Sequence, residues 1–223
     1  MRKLVLNTFL TLDGVMQAPG GPDEDREGGF RYGGWSVNFW DEPMGETIVA
    51  WTHRAGALLL GRKTYEIFAA HWPNVGDEDP VAAKLNGVRK YVASRTLKDV
   101  TWQNSSLITG DVIEAVKGLK REPGEEIQVH GSADLIQTLL RHGLVDELRL
   151  WVFPVIVGTG KRLFGNGAVP GAYKLIDSKT SSTGASINTY EAAGDIPYGS
   201  FVVDERGGSE ALWREAGPGA GEH

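Results

Sequence analysis

Apolar runs alternate with polar, glycine-marked breaks along most of the chain. Residues 3–12 are rich in apolar and β-favouring side chains and stop at Asp13-Gly14, which predicts a buried first strand and a turn. Residues 16–34 shift to glycine, proline and charge, the composition of a long loop, and such loops in compact domains are usually functional or mobile. Ile48, Val49 and Trp51 set a helical spacing within residues 39–54, with Pro43 near its start. Residues 57–60 are wholly apolar and end at Gly61, as a central strand does, and a helix follows over 63–70. A loop over 71–79 leads to a strand at 88–93 and a helix at 111–120 with Asp111 as N-cap. Next come a strand at 126–130 and a helix at 132–142 closed by Gly143. Residues 147–157 form a long apolar strand interrupted by Pro154, and 173–182 with 186–192 form a hairpin across Thr183-Gly184.

This alternation predicts an α/β domain over residues 1–194: a mixed, mostly parallel central sheet, helices on both faces and a C-terminal antiparallel hairpin. Residues 195–223 lose the pattern. From Gly207 they are glycine-rich and polar around an apolar island at Leu212-Trp213, and they read as a flexible tail. The chain shows no internal repeat.

Composition narrows the partners more than the fold. The 223 residues are 41% hydrophobic and 23% charged, ordinary for a soluble globular protein, with a formal net charge of -6 that disfavours nucleic acid and acidic membranes. Cysteine is absent, which excludes disulfides, thiolate zinc sites and thiol nucleophiles and fits a cytoplasmic protein. The first residues lack the apolar stretch and cleavage site of a signal peptide, and no apolar run reaches the roughly 20 residues that span a bilayer. The histidines show no metal-ligand spacing, so no metal is expected.

Three strand ends carry phosphate-friendly chemistry. Gly61-Arg62-Lys63-Thr64 joins a buried strand to a helix start bearing two cations and a hydroxyl, where exposed amides attract anions. Ser94-Arg95-Thr96 ends the next strand with two hydroxyls around an arginine, the residue suited to bidentate phosphate contact. His130-Gly131-Ser132-Ala133 again joins strand to helix through small residues. Each alone also reads as an ordinary polar turn, with Ser132 a simple N-cap. Together they suggest a phosphorylated nucleotide lying across the carboxyl ends of the strands, where ligands of open α/β sheets bind. No Gly-x4-Gly-Lys-Ser/Thr pattern is present, which argues against an ordinary kinase or ATPase.

With these motifs in place, the chain resembles the dihydrofolate-reductase superfamily. Residues 60–66 resemble its strand–helix pyrophosphate motif, and Ser94-Arg95-Thr96 its 2′-phosphate site. Within the superfamily it is most similar to the C-terminal reductase domain of bifunctional riboflavin-biosynthesis deaminase/reductase proteins, through Leu12-Asp13-Gly14, Leu144-Val145-Asp146-Glu147-Leu148 and Pro154-Val155-Ile156-Val157-Gly158-Thr159-Gly160-Lys161-Arg162-Leu163-Phe164. The resemblance implies a three-layer dihydrofolate-reductase-like fold, a homodimer and NADPH as hydride donor. It implies that Gly61, Arg62, Lys63 and Thr64 meet the cofactor phosphates. Ser94 and Arg95 would select the 2′-phosphate, and Gly131, Ser132 and Ala133 would line the cofactor channel. Gly158 to Gly160 shape the site or form a tight turn. The chain departs from that family's pattern at Val129-His130, where an acidic substrate-binding residue is usual, and at Phe68, where an aspartate is usual; both leave the substrate open.

Hydride transfer also needs a proton, which a partly buried carboxylic acid can deliver. Asp13 at the end of the first strand and Asp41 (with Glu42) at the start of the next helix are the candidates, against plain roles as a turn former and helix-start charges. Trp35, Phe39 and Trp40 could wall a pocket for a flat heterocycle or simply belong to the core. The resulting expectation is an NADPH-dependent reductase of a small heterocycle, resembling 5-amino-6-(5-phosphoribosylamino)uracil reductase. The alternatives are a true dihydrofolate reductase or a nucleotide-binding protein without turnover. The apolar strand at 148–154 suggests pairing at a sheet edge.

Overall fold

The computed structural model describes residues 1–165 and 168–199. Among the described residues eight strands form one sheet: β1 (Leu4–Thr11), β2 (Ala55–Gly61), β3 (Arg89–Ala93), β4 (Ser105–Leu107), β5 (Glu126–His130), β6 (Glu147–Phe153), β7 (Tyr173–Thr180) and β8 (Ser186–Ala192). Their spatial order is β4-β3-β2-β5-β1-β6-β8-β7. The first six in that order run parallel, and β8 and β7 close the sheet as an antiparallel hairpin. Five α-helices of the described residues cover it: α1 (Glu42–His53), α2 (Arg62–His71), α3 (Pro80–Gly87), α4 (Val112–Arg121) and α5 (Ala133–Arg141). This is the three-layer arrangement expected from the alternation of strands and helices.

The period of two along each central strand assigns the faces. Leu4, Leu6, Leu10, Ile127, Val129, Leu148 and Leu150 point to one side and pack against α4 and α5 through Val116, Ile136 and Leu139. The opposite face is split. Leu58, Leu60 and Val92 pack with Tyr65 and Leu85 on one flank, and Trp151 and Phe153 pack with Met44 and Trp51 on the other. Between these two apolar patches lies a polar spine. Arg149, 1% exposed, binds Glu126 through both terminal nitrogens (2.7 and 2.9 Å) and Glu147 through Nε (2.7 Å). A buried guanidinium is tolerated because two carboxylates neutralise it and fill its donors.

Pro154 has no amide to give to a ladder, and β6 ends at Phe153, four residues earlier than the apolar pattern implied. β6 is also interior, flanked by β1 and β8, so the expected edge pairing through residues 148–154 is corrected: the edges are β4 and β7. Two elements lay outside the sequence reading. Asp79 caps α3 by accepting from the amides of Val81 and Ala82, with Pro80 in the first turn, and β4 is three residues long. The helix within 39–54 starts at Glu42 because Asp41 caps it, and Phe39 sits in a separate 3-10 turn. Of the predicted tail, residues 200–223, including Leu212-Trp213, lie outside the described residues.

Candidate active site

All parallel strands end at the same edge of the sheet, so their carboxyl ends bring together turns far apart in sequence. A cavity of about 670 Å³ opens there. Its floor is Asn7, Phe9 and His130 from the strands; Trp40 and Ile48 stand on one side and Lys63, Thr64 and Phe68 of α2 on the other. The loop over residues 16–25, the turn Gly131-Ser132-Ala133 and Lys161 form much of the remaining wall.

The strand ends at Gly61 and Gly131 interlock. The Ser132 hydroxyl accepts the Gly61 amide (2.9 Å) and lies 2.9 Å from both Thr64 Oγ1 and the His130 carbonyl oxygen. A Cβ on Gly61 would stand 3.2 Å from the Ser132 side chain, and one on Gly131, whose φ is +51°, 3.0 Å from Thr64 Oγ1. Both approaches are tight for any Cβ, and at Gly131 the positive φ favours glycine as well. Ser132 itself adopts a left-handed conformation (φ 65°) and makes no capping bond to α5, so its reading as a simple N-cap is corrected. The starts of α2 and α5 therefore lie side by side, and among the described residues no side chain of their N-cap residues bonds their first amides, an arrangement that suits an anion.

Lys63, Thr64, Gly131, Ser132, Ala133 and Trp40 line the cavity. Gly61 adjoins it through Ser132. Arg62 points aside into an ion pair with Glu66 at 3.0 Å. Ser94 and Arg95 follow β3, whose Ala93 is in register with Gly61, so they lie at the same edge beyond the cavity wall. The Ser94 hydroxyl holds its turn by accepting from the amides of Thr96 and Leu97, and Arg95 is exposed with no ion pair among the described residues. Trp35 is not on the wall. Its Nε1 donates to the Gln17 carbonyl at 2.8 Å and its ring meets the edge of Phe153.

The two candidate acids also stand away from the cavity wall. Asp13 accepts from the Thr11 hydroxyl (2.6 Å) and the Gly158 amide (2.9 Å), and it pairs with Arg162 at 3.0 Å. The Thr11 hydroxyl and then the backbone amides hold its carboxyl below the usual carboxylate range. Asp41 caps α1 at the Met44 amide and accepts from the amide and hydroxyl of Ser182 at 2.7 and 2.8 Å. Partial desolvation opposes its ionisation, but those bonds outweigh it and its pKa is lowered. Both carboxylates are held by neighbouring donors rather than turned to the cavity.

The structure instead puts three loop carboxylates on the wall, Asp23, Glu24 and Asp25, and Asp23 is paired with Arg26. Glu24 accepts from the Gly20 and Gly21 amides (2.6 and 3.1 Å), and burial pushes its carboxyl up from the ordinary value. Asp25 binds Lys161 at 2.7 Å and stands 3.9 Å from Lys63. Asn7 was equally unmarked, although a polar residue within Leu4-Val5-Leu6-Asn7 was a visible signal. Among the described residues no group of three or more histidines and carboxylates is placed to hold a metal ion, and no helix is long and apolar enough to cross a membrane.

The strand order β4-β3-β2-β5-β1-β6-β8-β7, with helices on both faces and a cavity at the carboxyl edge, is matched by solved structures of the dihydrofolate-reductase-like class. The chain belongs to the RibD C-terminal domain family, whose sequence profile matches residues 2–187. It is 31% identical over 188 residues to the uncharacterized protein YyaP of Bacillus subtilis, covering 82% of this chain and 91% of that one. Among solved structures it is similar to a protein of Shewanella sp. PV-4 ascribed to riboflavin biosynthesis (TM-score 0.62, 20% identity, 86% of this chain and 99% of that one). It is also similar to a diaminohydroxyphosphoribosylaminopyrimidine deaminase/5-amino-6-(5-phosphoribosylamino)uracil reductase of Thermotoga maritima (TM-score 0.54, 13% identity, 86% of this chain and 57% of that one). At these identities the structural likeness speaks for the fold alone.

Proposed function

We propose that the chain is an NADPH-dependent reductase of a small flat heterocycle. The observation that carries this reading is the pair of uncapped helix starts, locked together by Ser132, on the wall of a largely apolar cavity. Two sets of helix-start amides with Lys63 and Thr64 beside them suit a diphosphate. The exposed Arg95 beside Ser94, at the same sheet edge, suits the additional phosphate that separates NADPH from NADH. Family membership supports a reductase role, and the Thermotoga relative's pyrimidine substrate is in keeping with a flat ring between Phe9, Trp40 and Phe68.

When bound, NADPH would supply the hydride. The chain's own contribution is to hold both rings away from water and to provide a proton. Glu24 suits the second task better than Asp13 or Asp41, because it faces the cavity and burial favours its protonated form. A true dihydrofolate reductase would need an acid on α1 facing the ring, and Asp41 is instead committed to Met44 and Ser182. A homodimer, if formed, would use the exposed edge strand β7 with Leu175 and Ile176, and light scattering reads it directly.

The decisive experiment is titration of the protein and of Arg95→Ala with NADPH and NADH. Wild type should prefer NADPH, and Arg95→Ala should lose most of that preference. A preference for NADH, or binding of neither, sinks the reading; binding of NADPH without oxidation by any pyrimidine or pteridine leaves a nucleotide-binding protein.

A further inference from the structure

Asn7 is 5% exposed, and neither its amide nitrogen nor its amide oxygen has a hydrogen-bond partner among the described residues. Burying an amide without partners is destabilising, so such groups are rare unless something else satisfies them. Asn7 lines the cavity. It is in register with His130 on β5, so the two side chains leave neighbouring strands on the same face of the sheet.

The proton on His130 can be placed. Gln128 Nε2 donates to the Trp51 carbonyl oxygen and to Glu126 Oε1, both at 2.6 Å, which turns its amide oxygen toward His130. That oxygen lies 3.1 Å from His130 Nε2. Nε2 is therefore the protonated nitrogen, and Nδ1 is left as an acceptor. Burial, with the Arg149 charge behind it, keeps the ring neutral by pushing its pKa down to about 4. Just beneath the cavity floor there is thus an unpartnered donor and acceptor on one amide, with the neutral His130 ring beside it, between apolar walls of Phe9, Trp40 and Phe68.

We propose that Asn7, with His130 beside it, is the specificity-determining contact for an amide edge, a carbonyl adjacent to an N–H, on the ring bound in this cavity. The chemistry is complementary: the Asn7 amide N–H meets the carbonyl, and its oxygen meets the N–H. Two ligands present such an edge, the lactam of a pyrimidine or pteridine and the carboxamide of a nicotinamide. The inference rests on reading this cavity as the substrate and cofactor site, but it is tested by binding alone.

The test uses the full chain and two ligand pairs. Lumazine is compared with 1,3-dimethyllumazine, which lacks the ring N–H groups. NADPH is compared with its 3-acetylpyridine analogue, in which a methyl replaces the amide nitrogen. Wild type should bind the amide-bearing member of one pair roughly tenfold more tightly, the effect of one or two buried hydrogen bonds. Asn7→Leu should abolish that preference by weakening the amide-bearing member alone. Its thermal midpoint without ligand should be equal or higher, because a near-isosteric apolar side chain removes the unsatisfied amide; Asn7→Ala serves if the leucine variant does not fold. A preference on the lumazine pair assigns the edge to the substrate, and one on the nicotinamide pair to the cofactor. The proposal is overturned if wild type shows no preference on either pair, or if the variants keep it while losing thermal stability. If NADPH fails to bind but an Asn7-dependent lumazine preference persists, the reductase reading fails and this one stands.

Discussion

Lys161 Nζ lies 2.7 Å from Asp25 Oδ2 and 2.6 Å from Glu27 Oε2, so a residue beyond β6 grips the glycine-rich loop beside the cavity. Its amide donates to Gln17 Oε1 at 3.0 Å, and the Gln17 side chain in turn donates to the Asp25 and Glu27 carbonyl oxygens. Burial opposes ionisation of Asp25, but the Lys161 bond and charge outweigh it and hold its pKa below the ordinary value. The contribution of this pair is thus complete above the usual carboxylate range and is lost as pH falls through it. Lys161→Met should raise KM for the ring substrate roughly 5- to 30-fold, the effect of one or two kcal/mol in loop closure. Faster amide exchange over residues 17–27, with the sheet unchanged, would accompany it.

Asp41 separates the two possible duties of an acid at the start of α1. Asp41→Ala should lower the thermal midpoint by removing the cap on Met44 and the tie to Ser182, and Asp41→Asn should restore much of it, since an amide oxygen still caps. Neither should change the rate of NADPH oxidation under saturating conditions. A large fall in kcat for Asp41→Asn at unchanged stability would return Asp41 to the list of proton donors.

His130 gives the fold a pH dependence with a definite sign. Its pKa is depressed to about 4 from 6.5, so between those values the unfolded chain binds more protons than the folded one. The stability it contributes is present above pH 6.5 and is lost progressively down to about pH 4. The shift is equivalent to at most about 3 kcal/mol, less the screening on the cavity side. Chemical denaturation of wild type and His130→Gln at pH 7.5 and 4.5 should show the smaller loss in the variant; equal losses would contradict it.

Two glycines should respond in opposite directions. Gly160 has φ +121°, and a Cβ there would stand 2.8 Å from Val15 Cγ1 and 2.9 Å from the Phe30 ring. Gly160→Ala should destabilise by at least roughly 1–3 kcal/mol, from strained backbone alone. Gly118 lies within α4 with nothing close to its added Cβ, so Gly118→Ala should stabilise by up to about 1 kcal/mol. Urea midpoints of the two variants check both signs.

Hydrophobic periodicity made most of the sheet legible: the strand at 126–130 and the following helix are where the apolar spacing puts them. Elements with little apolar content were not. β4, Ser105-Ser106-Leu107, carries no pattern of its own and forms because β3 offers it a free edge. The glycine turns were legible because turn chemistry is local. The duties of Asp13 and Asp41 were not, since their partners Arg162 and Ser182 are 149 and 141 residues further on. Glu24 and Asn7 acquire their meaning only when the loop folds down over the sheet and withdraws them from water.

The run Gly158-Thr159-Gly160-Lys161 lies within the stretch from Pro154 to Phe164 that carries the resemblance, and in the folded chain it works as a clasp. Gly158 takes Asp13, Gly160 makes room for Val15 and Phe30, and Lys161 secures Asp25. A clasp is indifferent to what is enclosed. Chains that share this run can therefore share an architecture while acting on different molecules, and sorting them by chemistry requires comparing the floor of the cavity, at Asn7 and His130, rather than the fastening above it.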